Sequence, residues 1–550
     1  MSVITQTDFY KTGHYKQYPE NTQLVYSNLT PRSSRLFKWE DFDGKIVFFG
    51  LQAFIKEYLI EEWNNKFFSK PKESVISYYK RRMDTSLGVD AVSVSQLEEL
   101  HDLGYLPIEI RALPEGTKVP IGVPVFTIHN TLPEFFWLTN FLETVMSCEL
   151  WKPSTVATIA HQYKKMLNKY AEETGGDASF TALQGHDFSF RGMSGRHDAA
   201  MSGMGHLISF VGTDTIPAID AAEEFYYADA EKELTGTSVP ASEHSVMCMG
   251  GKETEIETFR RLIEDVYPKG IVSIVSDTWD FWGVVGKDGI LEQLKDKIMA
   301  RQPDALGLNK VVVRPDSGDP VKIICGLKVQ SYKDAAYDWL EDGYDLECDV
   351  IEKDGKYYEY DTDAEYFYEF VNDRTLTLLE EVQPEIVKGA IECLWDIFGG
   401  TINEKGYKVL DPHIGLIYGD SITLDRAKAI LEGLKEKGFC STNVVFGIGS
   451  YTYQYITRDT FGWAIKATAG NINGQNIAIQ KAPITDKGSK KSASGFLVVD
   501  KDENGEYYLI QDQTEKDAVT KGYLGTVFKD GKLVSELTFQ QVRQNLLESK

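Results

Sequence analysis

The sequence has few of the features that mark secreted, zinc-binding or membrane proteins. Only six of its 550 residues are cysteine, and they lie far apart with no CxxC pair and no histidine at zinc-finger spacing. Such scatter is typical of reduced, mostly buried thiols and disfavours a structural zinc site. No uninterrupted apolar run approaches the roughly 20 residues of a membrane span. The N-terminal residues lack the basic start and apolar run of a signal peptide, so we expect a cytoplasmic protein.

Positive charge is also scarce. The chain has 58 lysines and arginines against 83 aspartates and glutamates, a formal net charge of -25, which disfavours nucleic acid as a partner. The excess of acidic side chains is concentrated in residues 331–385, which contain 18 acidic and 4 basic side chains. If that segment projects into solvent, the rest of the protein can still hold an anion in a local cationic pocket. We interpret residues 325–397, which are rich in tyrosine, as an acidic insertion with a hairpin at Asp354-Gly355.

The first 150 and last 60 residues mix short helical and strand patterns. Residues 48–63 have helical spacing of apolar side chains, and residues 108–128 are β-rich, with Pro and Gly at turns. Residues 136–170 predict one or two helices broken near Pro153. From about residue 495 the pattern predicts short strands and a final helix.

From about residue 180, short apolar runs end repeatedly in Gly, Asp, Ser and Thr. The five runs are HLISF-VGTDT, GIVSIV-SDTWD, KVVVR-PDSGDP, HIGLIY-GDSIT and NVVF-GIGS. Such continuous runs suit parallel strands buried on both faces. Helical stretches at 253–266 and 424–437 separate several of them and indicate βα units. Because functional residues of α/β barrels lie at the carboxyl ends of strands, we predict an irregular barrel with its site at that edge.

Two of these strand-end motifs, and two other segments of the chain, have both a structural and a functional interpretation. Arg314 to Asp319 (RPDSGD) places a cation beside carboxylates that can bind Mg²⁺, sugar hydroxyls or an anion, or its Asp and Ser can cap a helix. The glycines of FGIGS can bind phosphate at a helix N-terminus or make a simple turn. His244 lies beside Glu243 and is either reactive or structural. His186 to Gly192 (HDFSFRG) can stack a flat ring or belong to the core.

Together these blocks resemble the nicotinamide phosphoribosyltransferases, of the type II phosphoribosyltransferase family. The resembling blocks, in family order, are TDFYKTGHYKQYP, HDFSFRG, GTDT, SVPASEHS, VSIVSDTWD, RPDSGDP, YGDSIT, FGIGS with TRD, and the lysine-bearing tail before Ser492. The resemblance implies an irregular α/β barrel over residues 151–464, packed on an α/β domain built from residues 1–150 and 465–550. The insertion has no counterpart of its length in the shorter members of the family.

The resemblance also implies an activity. The phosphoribosyl group of 5-phosphoribosyl 1-pyrophosphate (PRPP) would pass to nicotinamide, giving nicotinamide mononucleotide and pyrophosphate in NAD salvage. Mg²⁺ would assist, and ATP would act as an activating co-substrate through a phosphohistidine. The protein would be a homodimer with two active sites at the subunit interface.

The resemblance assigns residues to each part of that site. Nicotinamide would stack between Phe188 and the partner subunit's Tyr10, with further contacts from Asp8, Asp214, Ser273 and Arg314. Catalysis is assigned to His244, Asp277 and Asp316, and Mg²⁺ to Asp277 and Asp316. Ribose and its phosphate would contact Gly419, Asp420, Gly449 and Ser450. Pyrophosphate and PRPP would contact Arg32, Arg191, Arg458, Lys466, Lys481 and Lys487.

Two departures from the family pattern and three rival functions remain. Ser450 stands at a glycine-like position, and Thr278-Trp279 replaces smaller or hydroxylated residues. Nicotinate phosphoribosyltransferase is the nearest rival, but a carboxylate at Asp214 accepts from a carboxamide and repels a carboxylate, which favours nicotinamide. A non-catalytic nucleotide-sensing protein is disfavoured by His244, Asp316 and Arg458. A metal-dependent hydrolase would need histidines at the strand ends, and these strand ends carry none.

Overall fold

Two large β-sheets of different kinds organise the computed structural model, which describes residues 1–335, 346–361, 377–419, 421–480 and 493–549. One sheet is wholly parallel and the other wholly antiparallel. Each packs against its own large apolar core. The fold is therefore mixed α/β, as the sequence predicts.

The parallel sheet is a half-barrel of six strands. In spatial order the strands are Gly212–Thr213, Gly185–Asp187, Val444–Ile448, Ile414–Tyr418, Val311–Arg314 and Val272–Val275. Their Val, Ile and Leu side chains are almost entirely buried because helices cover the sheet. Four of the five predicted strand-end clusters thus follow a strand of this sheet, and all the strands point their carboxyl ends to one edge.

The antiparallel sheet combines strands from both ends of the chain. Its spatial order is Gln475–Ala478, Ala464–Ile472, Thr22–Thr30, Phe126–Asn130, Ile108–Ala112, Gly525–Lys529 and Lys532–Leu533. Two-stranded pairs join Lys45–Val47 to Lys118–Pro120, Gly400–Ile402 to Lys408–Leu410, and Phe496–Lys501 to Tyr507–Gln513.

Helices surround both sheets. The α-helices of the first half are His14–Gln17, Leu51–Phe54, Lys72–Leu87, Ser95–Leu103, Leu138–Phe141, Glu143–Thr174, Arg196–Leu207, Ile216–Tyr226, His244–Cys248 and Glu255–Arg261. Wider π-type turns extend two of them, at Ile55–Glu62 with Asn64–Phe68 and at Leu262–Val266. Those of the second half are Phe281–Val285, Ile290–Gln293, Lys295–Met299, Pro320–Cys325, Pro384–Lys388, Ala390–Phe398, Leu424–Glu436, Ser450–Tyr453, Glu515–Thr520 and Phe539–Glu548.

Two predicted elements are wrong. The run HLISF is not a strand, because His206 and Leu207 end the helix Arg196–Leu207 and only Gly212–Thr213 pairs with the sheet. Pro153 does not break its helix, which runs unbroken from Glu143 to Thr174. The proline lies on the buried side, and the neighbouring Ser154 hydroxyl both donates to and accepts from the Phe49 backbone. Tertiary packing thus outweighs the hydrogen bond that proline cannot make.

The acidic segment forms a separate small sheet. Its strands are Val329–Ser331, Val350–Lys353, Lys356–Asp361 and Thr377–Val382, and the predicted hairpin is confirmed because Lys353 pairs with Lys356 around Asp354-Gly355. The two ends of the excursion touch, since Leu327 N donates to the Val387 carbonyl at 3.0 Å. Gly326 and Gly389 lie backbone to backbone there.

Two general features of the described residues bear on the sequence predictions. All six cysteines are free thiols, and Cys325, Cys393 and Cys440 are buried. No helix in the described ranges combines the length and apolarity needed to cross a bilayer.

Candidate active site

A cavity of about 800 Å³ opens at the carboxyl edge of the half-barrel. The edge brings together side chains that are far apart in sequence because the parallel strands all end there. The cavity is lined by nine of the predicted site residues, namely Phe188, Arg191, Asp214, His244, Arg314, Asp316, Gly419, Gly449 and Ser450.

Phe188 provides the flat apolar wall of the cavity. It directly follows the strand Gly185–Asp187, and its N–H donates to the Ile448 carbonyl at 3.0 Å, which ties it to the neighbouring strand. A Cβ on Gly447 would lie 2.5 Å from the ring, so glycine is needed for the ring to pack there. The ring is half-buried and free to stack on a planar ligand.

Asp214 supplies a carboxylate close to this ring. Its Oδ1 lies 2.8 Å from His186 Nε2 and accepts from Ser238 Oγ at 2.5 Å. Burial acts to raise the pKa of Asp214, but the bonds from His186 and Ser238 and the charge of Arg314 outweigh burial and lower the pKa below its ordinary value. Asp214 is therefore an ionised acceptor at neutral pH.

Arg314 ends its strand at the floor of the cavity. Its Nη2 donates to the Ser242 carbonyl at 2.6 Å, and its Nε lies 3.7 Å from Asp316 Oδ1. The buried Nε has no hydrogen-bond partner within the described part of the chain. The guanidinium is thus fixed while donors remain for a ligand.

Asp277 and Asp316 bring two carboxylates to adjacent strand ends. Asp277 Oδ2 accepts from the Asp316 N–H at 2.9 Å and from Ser317 Oγ at 2.6 Å. Its Oδ1 is buried with no partner among the described residues. Such an orphaned oxygen beside a second carboxylate fits Mg²⁺, whose other ligands are usually waters and phosphate. The described residues contain no group of three or more His, Cys, Asp or Glu able to hold a metal.

Gly449 and Ser450 border the cavity where the strand Val444–Ile448 passes into the helix Ser450–Tyr453. Gly449 is the N-cap residue, in extended conformation, and a Cβ added there would meet no atom within 4 Å. Ser450 packs against Gly192, where an added Cβ would lie 2.1 Å from the serine hydroxyl. The serine that departs from the family pattern is therefore accommodated by the glycine that follows Arg191.

His244 is exposed at the cavity wall, where it begins the helix His244–Cys248. Its Nδ1 lies 3.3 Å from Thr278 Oγ1, so the departure at Thr278 supplies a contact to this histidine. Ser273, also predicted at the site, lies within the strand Val272–Val275, and its buried hydroxyl has no partner among the described residues.

A second cluster of predicted residues does not line the cavity. Of the described residues in it, Glu143 pairs with Lys11 and lies 3.7 Å from Lys466, while Thr144 Oγ1 donates to Asp8 at 2.8 Å. Burial lowers the pKa of Lys466, and nearby cations lower it further. The carboxylate of Glu143 acts in the opposite direction but does not outweigh them. The predicted residues of this cluster are Asp8, Tyr10, Arg32, Arg458 and Lys466. Tyr10 is 62% exposed.

Three predicted residues, Asp420, Lys481 and Lys487, lie outside the described residues. Six further residues line the cavity but are not predicted from the sequence, namely Phe190, Thr215, Glu243, Ser245, Ser421 and Tyr451. The motifs GTDT and ASEHS contain Thr215, Glu243 and Ser245. Their position next to predicted residues is the sequence feature that indicates a place at the site. The motif HDFSFRG places His186 near Phe188, but nothing in the sequence connects it to Asp214.

The half-barrel with charged strand ends has a counterpart among solved structures. Human nicotinic acid phosphoribosyltransferase matches over 99% of this chain and 93% of that chain, with a TM-score of 0.51 and 13% identity. At that identity the likeness defines the fold alone, which is a phosphoribosyltransferase fold.

The chain belongs to the nicotinate phosphoribosyltransferase (NAPRTase) family, whose model matches residues 183–532. Residues 2–110 match the N-terminal domain of nicotinamide phosphoribosyltransferase. The nicotinamide phosphoribosyltransferase of Acinetobacter baylyi is 54% identical over 549 residues, covering 100% of this chain and 97% of that protein. That of Mycoplasma pneumoniae is 34% identical over 89% of this chain and 93% of its own. That of Xanthomonas campestris pv. campestris is 30% identical over 98% and 97%.

Proposed function

We propose that the protein is a pentosyltransferase that transfers the phosphoribosyl group of PRPP to nicotinamide in NAD salvage. Its products are nicotinamide mononucleotide and pyrophosphate. The observation that carries the choice of base is Asp214, an ionised acceptor beside the Phe188 ring. A carboxamide NH₂ donates to such a group, whereas a carboxylate is repelled by it. The full-length relatives with this name support the same activity.

The charges of the cavity match the needs of the reaction. Loss of pyrophosphate from the anomeric carbon leaves positive charge on the ribose ring and negative charge on the leaving group. Asp316 lines the cavity and can face the ribose, with Asp277 hydrogen-bonded to its backbone, while Arg191, also in the lining, can face the departing phosphates. Charges fixed in place before reaction usually supply the largest share of catalysis.

Asp277 and Asp316 would hold Mg²⁺, directly or through water. When bound, the ion would neutralise phosphate charge and stabilise the leaving group. The unpartnered Asp277 Oδ1 supports this assignment. The bond from the Asp316 N–H to Asp277 Oδ2 holds the Asp277 carboxylate against the backbone of Asp316.

ATP would couple to the reaction through His244. The histidine would accept the terminal phosphoryl group on a ring nitrogen, releasing ADP, and later lose it to water. The exposed ring at the cavity wall and the Thr278 contact that orients it support this role. The coupling predicts formation of ADP that depends on His244.

A homodimer with shared sites would bring the second cluster to the cavity. The partner subunit's Tyr10 would cover the open face of the nicotinamide ring, and its Asp8 and Lys466 would come with it. Two observations support this arrangement. These residues do not line the cavity of their own chain, and Tyr10 is exposed. We place the protein in the cytoplasm.

Product analysis tests the proposal and its rivals. The protein is mixed with PRPP, Mg²⁺ and either nicotinamide or nicotinic acid, with and without ATP. We expect nicotinamide mononucleotide and pyrophosphate in equal amounts, formed faster with ATP. A preference for nicotinic acid would make the protein a nicotinate phosphoribosyltransferase, the activity named by its family. No turnover of either base would support a nucleotide-sensing role.

A further inference from the structure

His186 is placed to control the carboxylate that faces the base. Its Nε2 lies 2.8 Å from Asp214 Oδ1. An ionised carboxylate can only accept hydrogen bonds, so the imidazole donates from Nε2. Ser238 Oγ donates to the same oxygen at 2.5 Å. Oδ1 is thereby engaged twice, and Oδ2 is the oxygen left for the base.

The imidazole is itself held in position. His186 lies in the strand Gly185–Asp187, and only a tenth of its side chain is exposed. Its ring centroid lies 4.7 Å from that of Phe188, at an angle of 51°. On the other side, a Cβ on Gly212 would lie 2.9 Å from Nδ1. The ring thus fits between Phe188 and the backbone of the neighbouring strand, with little freedom to rotate.

We propose that His186 is a positioning residue that sets the specificity for the base, by fixing Asp214 so that one oxygen points at the carboxamide. This inference rests on the proposed function, because it names how that site selects nicotinamide. A fixed carboxylate gives a well-aligned acceptor to the NH₂ group. It also cannot turn away from a carboxylate substrate, so the repulsion that excludes nicotinate is retained.

His186 contacts the carboxylate and not the reacting atoms, so its effect falls on binding of the base. A group that aligns a ground-state contact changes KM, whereas one that acts only in the transition state changes kcat. A purely structural histidine would instead change stability and leave the ratio between the two bases unaltered. These signatures separate the inference from a packing role.

The test compares two replacements of His186 in the full-length protein. His186→Phe keeps a ring of similar size and removes the donor, while His186→Gln retains an N–H that can reach Asp214. His413→Phe is the matched control, since His413 Nδ1 also pairs with an aspartate, Asp411, at 2.7 Å but lies outside the cavity lining. The readouts are kcat and KM for nicotinamide and for nicotinic acid, at saturating PRPP, Mg²⁺ and ATP.

For His186→Phe we expect KM for nicotinamide to rise about tenfold, the effect of one lost bond to a charged group, with kcat within about twofold of wild type. The preference for nicotinamide over nicotinic acid should fall by a similar factor. His186→Gln should restore both to within about threefold, and His413→Phe should change neither.

Two outcomes would overturn the inference while leaving the proposed function intact. In one, the wild type turns over nicotinamide, and His186→Phe has the same KM for nicotinamide and the same base preference as the wild type. The other is a fall in kcat alone. If His186→Phe does not fold, Gly212→Ala gives the same test, because its Cβ must displace the imidazole without removing it. A wild type that does not use nicotinamide would instead contradict the proposed function.

Discussion

Replacing Asp214 by asparagine changes one charge at the base site and little else. Two unit charges about 4 Å apart repel by about 4 kcal/mol at an effective dielectric constant of about 20 and by about 1 kcal/mol in water. The Asp214 side chain is 46% exposed, so we place its repulsion of nicotinate between these limits, at about 2 kcal/mol, or about 30-fold in kcat/KM. Asparagine keeps an oxygen that can accept from His186 and Ser238, so the side chain should stay in place.

The assay measures kcat/KM for nicotinamide and nicotinic acid with wild type and Asp214→Asn. We expect the ratio of nicotinic acid to nicotinamide to rise about 30-fold. Asp296→Asn, at an exposed carboxylate in the helix Lys295–Met299, controls for the change of net charge and should leave the ratio unaltered. A ratio that stays constant in Asp214→Asn would refute the argument that this charge selects the base.

Three other changes test separate parts of the structure. Asp316→Ala should lower kcat about 10³-fold without lowering the melting temperature by more than a few degrees; retained turnover would remove Asp316 from the catalytic group. Gly447→Ala places a Cβ 2.5 Å from the Phe188 ring, and should raise KM for nicotinamide about tenfold or more; an unchanged KM would mean that the ring does not contact the base. Burial and the charges of Lys118 and Lys165 lower the pKa of His161 to about 4, below its unfolded value, so stability should fall as pH drops from about 6.5 to about 4, by at most about 3 kcal/mol. His161→Phe should flatten that dependence in urea titrations, and an equally steep curve would contradict it.

The strand ends could be predicted from the sequence because each apolar run has its polar cluster on the same chain segment. Val311–Arg314 and Ile414–Tyr418 are examples in which continuous burial and the following turn are both visible. HLISF shows the limit of that signal, since a short apolar run looks alike in a buried helix and a buried strand. Pro153 shows another, because the packing that tolerates proline involves Phe49, about 100 residues away.

Several residues that line the cavity could be predicted from the sequence, whereas their contacts with one another could not. Asp214, Arg314 and Asp316 stand in recognisable motifs, and the parallel sheet brings them to one cavity. The bond from His186 to Asp214 joins two neighbouring strands across 28 residues, and strand order is not encoded in any local pattern. The clustering of Lys466 with Glu143 has the same origin, since it requires both ends of the chain to share one sheet.

The contact between the two ends of the acidic excursion has a consequence for how this protein can vary. Gly326 and Gly389 already touch, so a longer or shorter segment between them costs the fold only the entropy of closing a different loop, which changes with the logarithm of its length. We therefore expect the strand that carries Arg314 and the helix Ala390–Phe398 to keep their geometry when residues between these two glycines are inserted or removed. For the same reason we expect the acidic segment to vary in length as an independent unit. The residues at the neighbouring strand ends cannot vary in the same way, because the proposed reaction needs their side chains.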